Sequence, residues 1–253
     1  MKNQYFGDVR DLFKYDLIEF FLKERSLSEF AFIAMRTENT NKKEGNKRDF
    51  LLAAKNCRPG TKNEKLMEFL MLYNCKKTEP SERDIRDVVK YFEPKGIEVR
   101  IHDTLFKHDS RRGYFEQLKS PTMGILSSPL ILVDPDIGLQ VGTSSEKHLL
   151  YDDVKGLYYK NMKRDSILMI FQYLPHDRSI LEYLPSGRAN TLKENLGLGY
   201  PPLYISDNEI CFLFLTQDDN LRKELVKILS KYIKEYEEFF SRLSISNIYS
   251  ESI

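Results

Sequence analysis

The chain has 253 residues, 41% hydrophobic and 30% charged. These are the proportions of one large globular domain with a sizeable core, not of a disordered chain. Lys and Arg number 39 against 38 Asp and Glu, so overall charge selects neither nucleic acid nor membrane, and any basic surface has to be local. Cys57, Cys75 and Cys211 form no Cys-x-x-Cys pair and have no His at metal-ligand spacing, which argues against a disulfide framework or a zinc site. The first residues (MKNQYFGDVRDLFKYD) are too polar and acidic for a signal peptide, and no apolar run approaches the roughly 20 residues of a membrane span. A cytoplasmic protein is expected.

Residues 9–24 predict a helix, because Leu12, Phe13, Leu17, Phe20 and Phe21 recur at helical spacing among charges. Residues 30–35 (FAFIAM) predict a buried strand. Residues 36–63 are polar apart from the patch 50–54 and are expected to be partly mobile. Helical pattern returns at 64–74. A further helix is expected from Pro80-Ser81 to about Phe92, with Ser81 as its cap and Asp84 at its third position. Residues 97–101 (IEVRI) alternate as a strand, 110–119 look helical, and 129–133 (PLILV) form the clearest buried strand. A helix is expected over 145–162, a buried strand over 166–171 (SILMIF), and helical or irregular chain to about 196. Residues 204–206 and 209–215 flank Asp207-Asn208, a hairpin signal. Residues 219–243 form a long amphipathic helix, with Leu221, Leu225, Ile228, Leu229, Tyr232, Ile233 and Tyr236 on one stripe.

Continuous apolar strands alternating with amphipathic helices imply a sheet buried on both faces. The expected fold is therefore a single α/β domain over residues 1–253, with a doubly wound, mostly parallel Rossmann-like sheet ending in an antiparallel hairpin. In such sheets ligands bind at the carboxyl ends of the strands, near the switch in strand order. The loops after Met35, Ile101, Val133 and Phe171 should share one rim.

Asp134-Pro135-Asp136-Ile137-Gly138-Leu139 is the sharpest feature of the chain. A buried strand delivers two carboxylates to its end, proline stiffens the link between them, and Gly138 permits a sharp turn. Acids placed there can hold a substrate amine, accept a proton or bind a divalent ion. The plainer account has Asp134 capping the next segment and Asp136 solvated. Mutual repulsion should raise at least one of the two pKa values, and Lys14, Lys147, a metal ion or a substrate amine could offset it. As a functional site, the loop should tolerate Asp134→Ala with folding nearly intact.

An apolar strand followed by Asp-Pro-Pro-Tyr marks the amino-group methyltransferases that use S-adenosylmethionine. Asp134 and Pro135 resemble its first two positions, with Asp136 at the third and no aromatic after it. Gly7-Asp8-Val9-Arg10-Asp11-Leu12-Phe13-Lys14-Tyr15 resembles Gly-Asn-x-x-Asp-x-x-Lys-His near the start of the adenine-N6 methyltransferases of large-subunit ribosomal RNA. Lys14 matches that Lys, Tyr15 stands for the His, and Tyr5 matches a preceding Tyr. The two motifs together also look like a small bacterial family of unassigned function. The resemblance implies a class I methyltransferase-like domain acting on a base amino group of DNA or RNA. Lys14, Asp134 and Asp136 would be catalytic, with Tyr5, Gly7 and Tyr15 on the cofactor. The strand ends add His102 and Asp103 for the cofactor, and Gln172, His176 and Arg178 for the substrate. Class I enzymes carry a Gly-rich turn after the first strand, whereas this chain reads Arg36-Thr37-Glu38-Asn39-Thr40 with no glycine until Gly45. Either the cofactor is held otherwise or the fold has been reused.

Two other classes fit the same residues. Asp134 and Asp136 could bind Mg²⁺ or Mn²⁺ in a nuclease or phosphodiesterase, and Pro135-Asp136 followed by Asp153-Val154-Lys155 satisfies a loose nuclease pattern. A non-catalytic binding module on the same fold is the third class. Lys147 and His148 are expected to open a helix that could face a phosphate. Arg111-Arg112 and residues 160–164 are local basic spots that could touch nucleic acid, with solvated helix ends as the plainer account. The last helix is expected to serve packing or a homodimer surface rather than a membrane.

Overall fold

The structure, a computed structural model, describes residues 1–40, 47–74, 82–142, 144–175, 180, 183–207 and 209–240. In chain order its elements are α1 (Val9–Glu24), β1 (Glu29–Ile33), α2 (Phe50–Lys55), α3 (Glu64–Met71), α4 (Val89–Phe92), β2 (Glu98–His102), α5 (Arg111–Gln117), β3 (Leu130–Val133), β4 (Gly138–Leu139), β5 (His148–Leu149), α6 (Tyr151–Gly156), β6 (Ile167–Tyr173), α7 (Pro185–Leu196), β7 (Leu203–Ser206), β8 (Ile210–Leu215), α8 (Asp219–Glu235) and α9 (Glu237–Phe240). A π-helical turn, Leu157–Asn161, continues α6.

Six strands form one sheet in the order β2-β1-β3-β6-β8-β7. β2, β1, β3 and β6 run parallel, β8 is antiparallel to β6, and β7 pairs antiparallel with β8 at the edge. This is the doubly wound, mostly parallel Rossmann-like sheet with a C-terminal hairpin. Side-chain alternation divides the core between its two faces. Phe30, Phe32, Leu130, Leu132, Met169 and Phe212 pack with residues of α1, α3 and α8. Ala31, Ile33, Ile131, Val133, Ile170 and Leu213 pack with residues of α5, α6 and α7. From β1 the chain steps outward to β2 and then returns to the other side of β1 as β3. The switch in strand order therefore falls between β1 and β3, whose carboxyl ends lead to Ala34 and Asp134.

Several local expectations change. The helix expected over 145–162 begins only at Tyr151. Lys147 and His148 lie before it, with His148 in β5 beside β4, so they are not a helix N-terminus. Pairing with the Asp-Pro-Asp loop overrides the helical pattern: Ile137 N–H donates to Lys147 O (3.0 Å) and Gln140 N–H to Leu149 O (2.9 Å). Ser81 lies outside the described residues. Asp84 is not a third helical position but the cap of a 3-10 turn, Ile85–Val88, accepting from Arg86 N–H. The strand expected to reach Met35 stops at Ile33, and Met35 has a φ of +40°. The final helix breaks at Tyr236, whose hydroxyl donates to Asp16 at 2.8 Å; residues 241–243 lie outside the described residues. Its apolar stripe is buried against this chain's own core.

Candidate functional site at the end of the third strand

The site begins with a turn. Gly7 has a φ of +78°, and a Cβ there would lie 2.7 Å from the Tyr73 Cβ, so glycine alone lets the chain turn into α1 against α3's trailing turn. Asp8 caps α1, accepting from Arg10 N–H at 2.8 Å. Asp8, Asp11 and Lys14 follow at three-residue spacing, which places them along one side of the helix. Asp11 accepts from Gly7 N–H (2.9 Å) and closes the turn.

β3 supplies the opposite wall. Asp134 N–H donates to Ile33 O (2.9 Å), which fixes it in the crevice between β1 and β3. The buried Lys14 ammonium donates to Asp134 Oδ2 (2.7 Å) and Asp11 Oδ1 (2.8 Å). Lys14 and Asp134 thus share one rim, as the paired motifs implied. Asp136 is met separately, by Lys2 Nζ at 2.5 Å and Thr37 Oγ1 at 3.2 Å. The Met1 amine donates to the carbonyls of Ala34, Met35 and Asp134 at 3.0–3.2 Å. Two different lysines therefore offset the repulsion expected within Asp134-Pro135-Asp136.

These surroundings divide Asp8, Asp134 and Asp136 electrostatically. Burial lifts Asp134 above the usual carboxylate range, against the pull of Lys14 and the Met1 amine. Burial would lift Asp136 too, but the Met1 amine and Lys2 outweigh it and hold Asp136 low. Burial alone would lower Lys14, yet Asp11 and Asp134 reverse this and keep it charged. Asp8 is pushed up to about 7, first by burial and then by the charge of Asp11. Its nearest cation, Arg10 Nη1, stands off at 3.4 Å.

A cavity of about 460 Å³ opens between these walls. Asp8, Asp11, Lys14 and Asp134 line its acidic side, Tyr5, Phe171 and Tyr173 its aromatic side, and Arg10 and the exposed Lys147 its basic margin. That volume suits a small-molecule ligand or a single nucleotide. The arrangement can hold a planar group against aromatic rings and take or give a proton at Asp8.

The other expected site residues fall elsewhere. Tyr15 is a core ring beside Phe6 and Phe92, wholly buried. His102 is buried edge-on to Tyr114, with ring centroids 4.5 Å apart. Asp103 pairs with Arg86 at 3.6 Å. Gln172 is structural: its Oε1 accepts from Leu139 N–H (2.9 Å) and its amide packs under Gly138, where a Cβ would lie 2.5 Å from Gln172 Cδ. His176 and Arg178 lie outside the described residues. Arg111 pairs with Asp153, and Lys155 projects from α6, so the loose nuclease pattern does not converge on Asp136. Asp8 and Asp11 stand in the N-terminal motif without a role assigned to them, and Lys2, Arg10, Phe171 and Tyr173 were not singled out from sequence; the i, i+3, i+6 spacing of Asp8, Asp11 and Lys14 was the available signal.

The residues do not fit S-adenosylmethionine at the β1–β2 side of the rim. Polar groups after β1 are already engaged: Thr37 N–H donates to Met1 O (2.8 Å), Phe106 N–H to Arg36 O (2.7 Å), and Met35 N–H to the Tyr114 hydroxyl (3.1 Å). Neither His102 nor Asp103 lines the cavity. Among the described residues no group of three or more His, Cys, Asp or Glu side chains could hold a metal ion, and Asp134 and Asp136 are each held by a lysine. No helix of the described residues is long and apolar enough to cross a membrane. Fold and site together define a Rossmann-like α/β protein with an acid-lined cavity at its topological switch point. Comparison with protein-family models, with curated proteins and with solved structures returned no match.

Proposed function

We propose that the protein is an enzyme acting on an N–H or O–H group of a nucleobase-like substrate, with Asp8 as proton acceptor. The observation that carries this is the placing of Asp8: a buried carboxyl on the cavity wall at the switch point, poised at about 7. A general base works best when its pKa lies near the operating pH, and perturbed acids in a cleft are candidate functional groups. Asp11, Asp134 and Asp136 are each bonded to a lysine, which leaves Asp8 as the acid best able to exchange its proton with a ligand. Tyr5, Phe171 and Tyr173 supply the aromatic lining against which a planar base would pack. Lys147 and Arg10 at the margin suit a phosphate. The Lys14–Asp134 pair is a fixed polar wall against which the substrate amine or hydroxyl is oriented.

The test is calorimetric titration with purine and pyrimidine mononucleotides and with short single-stranded oligonucleotides, run in buffers of different ionisation enthalpy near pH 7. Parallel titrations use S-adenosylmethionine and Mg²⁺ or Mn²⁺. Nucleotide binding accompanied by a proton exchange that disappears in Asp8→Asn is the expected result. Absence of nucleotide binding, or an identical proton exchange in Asp8→Asn, would overturn the proposal. Binding of S-adenosylmethionine would return methyl transfer to the base amine to first place, and binding of metal alone would favour a nuclease.

A further inference from the structure

The turn between β7 and β8, from the far side of the sheet, meets the cavity's margin through Arg10. Asp207 Oδ1 accepts from the N–H groups of Glu209 (2.6 Å) and Ile210 (2.8 Å), and Leu174 N–H donates to Glu209 O (2.8 Å). The Glu209 backbone is therefore fixed by two hydrogen bonds of its own and by a third at the next residue. Its carboxylate gathers three cations: Oε1 meets Lys47 Nζ and Arg58 Nη1, each at 2.8 Å, and Oε2 meets Arg10 Nε at 3.2 Å. Arg58 is itself fixed by Asp207 at 2.5 Å. Burial would lift Glu209, but Lys47 and Arg58 outweigh it and hold it down to about 2, so it stays ionised throughout the neutral range.

Arg10 is the member of this cluster that lines the cavity. Its guanidinium lies 5.3 Å from the centre of the Tyr173 ring, bonds Glu209 through Nε, and approaches Asp8 Oδ2 only at 3.4 Å through Nη1. An arginine facing a buried carboxylate with nothing else to bind would close on it as a short, bidentate pair.

We propose that Glu209, 199 residues from Arg10 in sequence, is a positioning residue of the cavity: it draws the Arg10 guanidinium toward the β7–β8 turn and so keeps it from closing on Asp8. The consequence is that Asp8 retains an exchangeable proton near neutral pH, and this rests on Asp8 being the proton acceptor of the site. The groups facing Asp8 are Asp11 and Lys14 from α1, Arg10 beside it, and Arg48 from the segment before α2. Among them Arg10 is the cation that Glu209 holds directly.

The experiment is a carbon-13 NMR titration of the Asp8 carboxyl in the ligand-free full chain, for wild type, Glu209→Gln, Arg10→Gln and the double variant. Gln keeps an acceptor for Lys47 and Arg58 but loses the charge that holds Arg10. In Glu209→Gln the Asp8 midpoint should fall by about 1 pH unit or more, the size of effect an opposite charge gives at contact distance. In the Arg10→Gln background, Glu209→Gln should leave the midpoint within a few tenths of a unit. A midpoint unmoved in Glu209→Gln overturns the proposal. So does an equal fall with and without Arg10, which would mean that Glu209 acts through space and not by holding the guanidinium. Because no ligand is present, this outcome is separate from whether Asp8 serves a substrate. A wild-type midpoint near 4 would sink the role of Asp8 itself.

Discussion

At Asp134 the geometry reverses what the sequence suggests about stability. Two acids across one proline look like a cost that substitution would relieve. In the fold, however, Asp134 is one of two carboxylates around a buried lysine, and removing one partner of a buried pair leaves the other charge poorly compensated. Asp134→Ala is therefore expected to destabilise the protein by about 3 kcal/mol, and Asp134→Ala with Lys14→Met to recover part of that loss. Urea unfolding of the single and double variants measures it; a single variant as stable as wild type would show that Asp11 alone satisfies Lys14. The pairing of Lys14 with Asp134 was legible because two motifs 120 residues apart both belong at one rim. Lys2 on Asp136 was not legible: nothing in a lysine at position 2 marks it as buried, and only the pairing of Thr37 with the first residues brings it there. Asp8 was hidden for a similar reason, since an aspartate before a helix reads as an exposed cap until the cavity around it is known.

Among the elements, the buried strands were the most readable, because a run such as Leu130–Val133 is apolar on both faces and only a covered parallel sheet accommodates it. The stretch 145–150 was the least readable. Its pairing partner is the loop after β3, and no local pattern encodes so short a parallel bridge. Helix α1 combines both kinds of information. Its apolar positions announce a helix, but they do not reveal that Asp8, Asp11, Lys14 and Asp16 are buried as well. That burial makes the first turn of α1 sensitive to pH. Asp8 is raised from its ordinary 3.8 to about 7 in the fold, so between those values the folded chain holds a proton that the unfolded chain has lost. The associated stability is complete below about pH 4 and declines as pH rises through about 7. The loss between pH 5 and pH 8 amounts to about 2–3 kcal/mol. Asp8→Asn keeps a side-chain acceptor for the cap and removes the titration. Its unfolding free energy should vary less between pH 5 and pH 8 than that of wild type, and denaturant melts at the two pH values decide it. Equal pH dependence in the two proteins would mean that Asp8 ionises freely in the fold.

For the molecule as a whole, α1 is the part shared by the cavity and the core. Its first turns carry Asp8, Asp11 and Lys14; one residue beyond Tyr15, Asp16 turns the opposite way, into the packing. Asp16 accepts from Asn63 Nδ2 at 2.9 Å, Tyr232 OH at 2.9 Å and Tyr236 OH at 2.8 Å. One carboxylate thus ties α1 to the cap of α3 and to the end of α8, the helix whose stripe closes this face of the sheet. Replacing it by alanine strips an acceptor from three donors, of which the two tyrosine hydroxyls are shut inside with rings almost wholly buried. An unmet buried donor costs about 1–3 kcal/mol, so Asp16→Ala should lose about 3 kcal/mol of global stability or more, and Tyr236→Phe, which removes one donor and leaves the acceptor two others, about 1 kcal/mol. The cavity should behave differently. Its walls come from the first turns of α1 and the ends of β3 and β6, and no residue of α8 lines it. At a temperature where Asp16→Ala remains folded, it should bind a nucleotide within about twofold of wild type, whereas Asp134→Ala should lose both stability and binding. If folded Asp16→Ala has lost its ligand, the seat of α8 on α1 sets the shape of the cavity, and core and site cannot be separated along this helix.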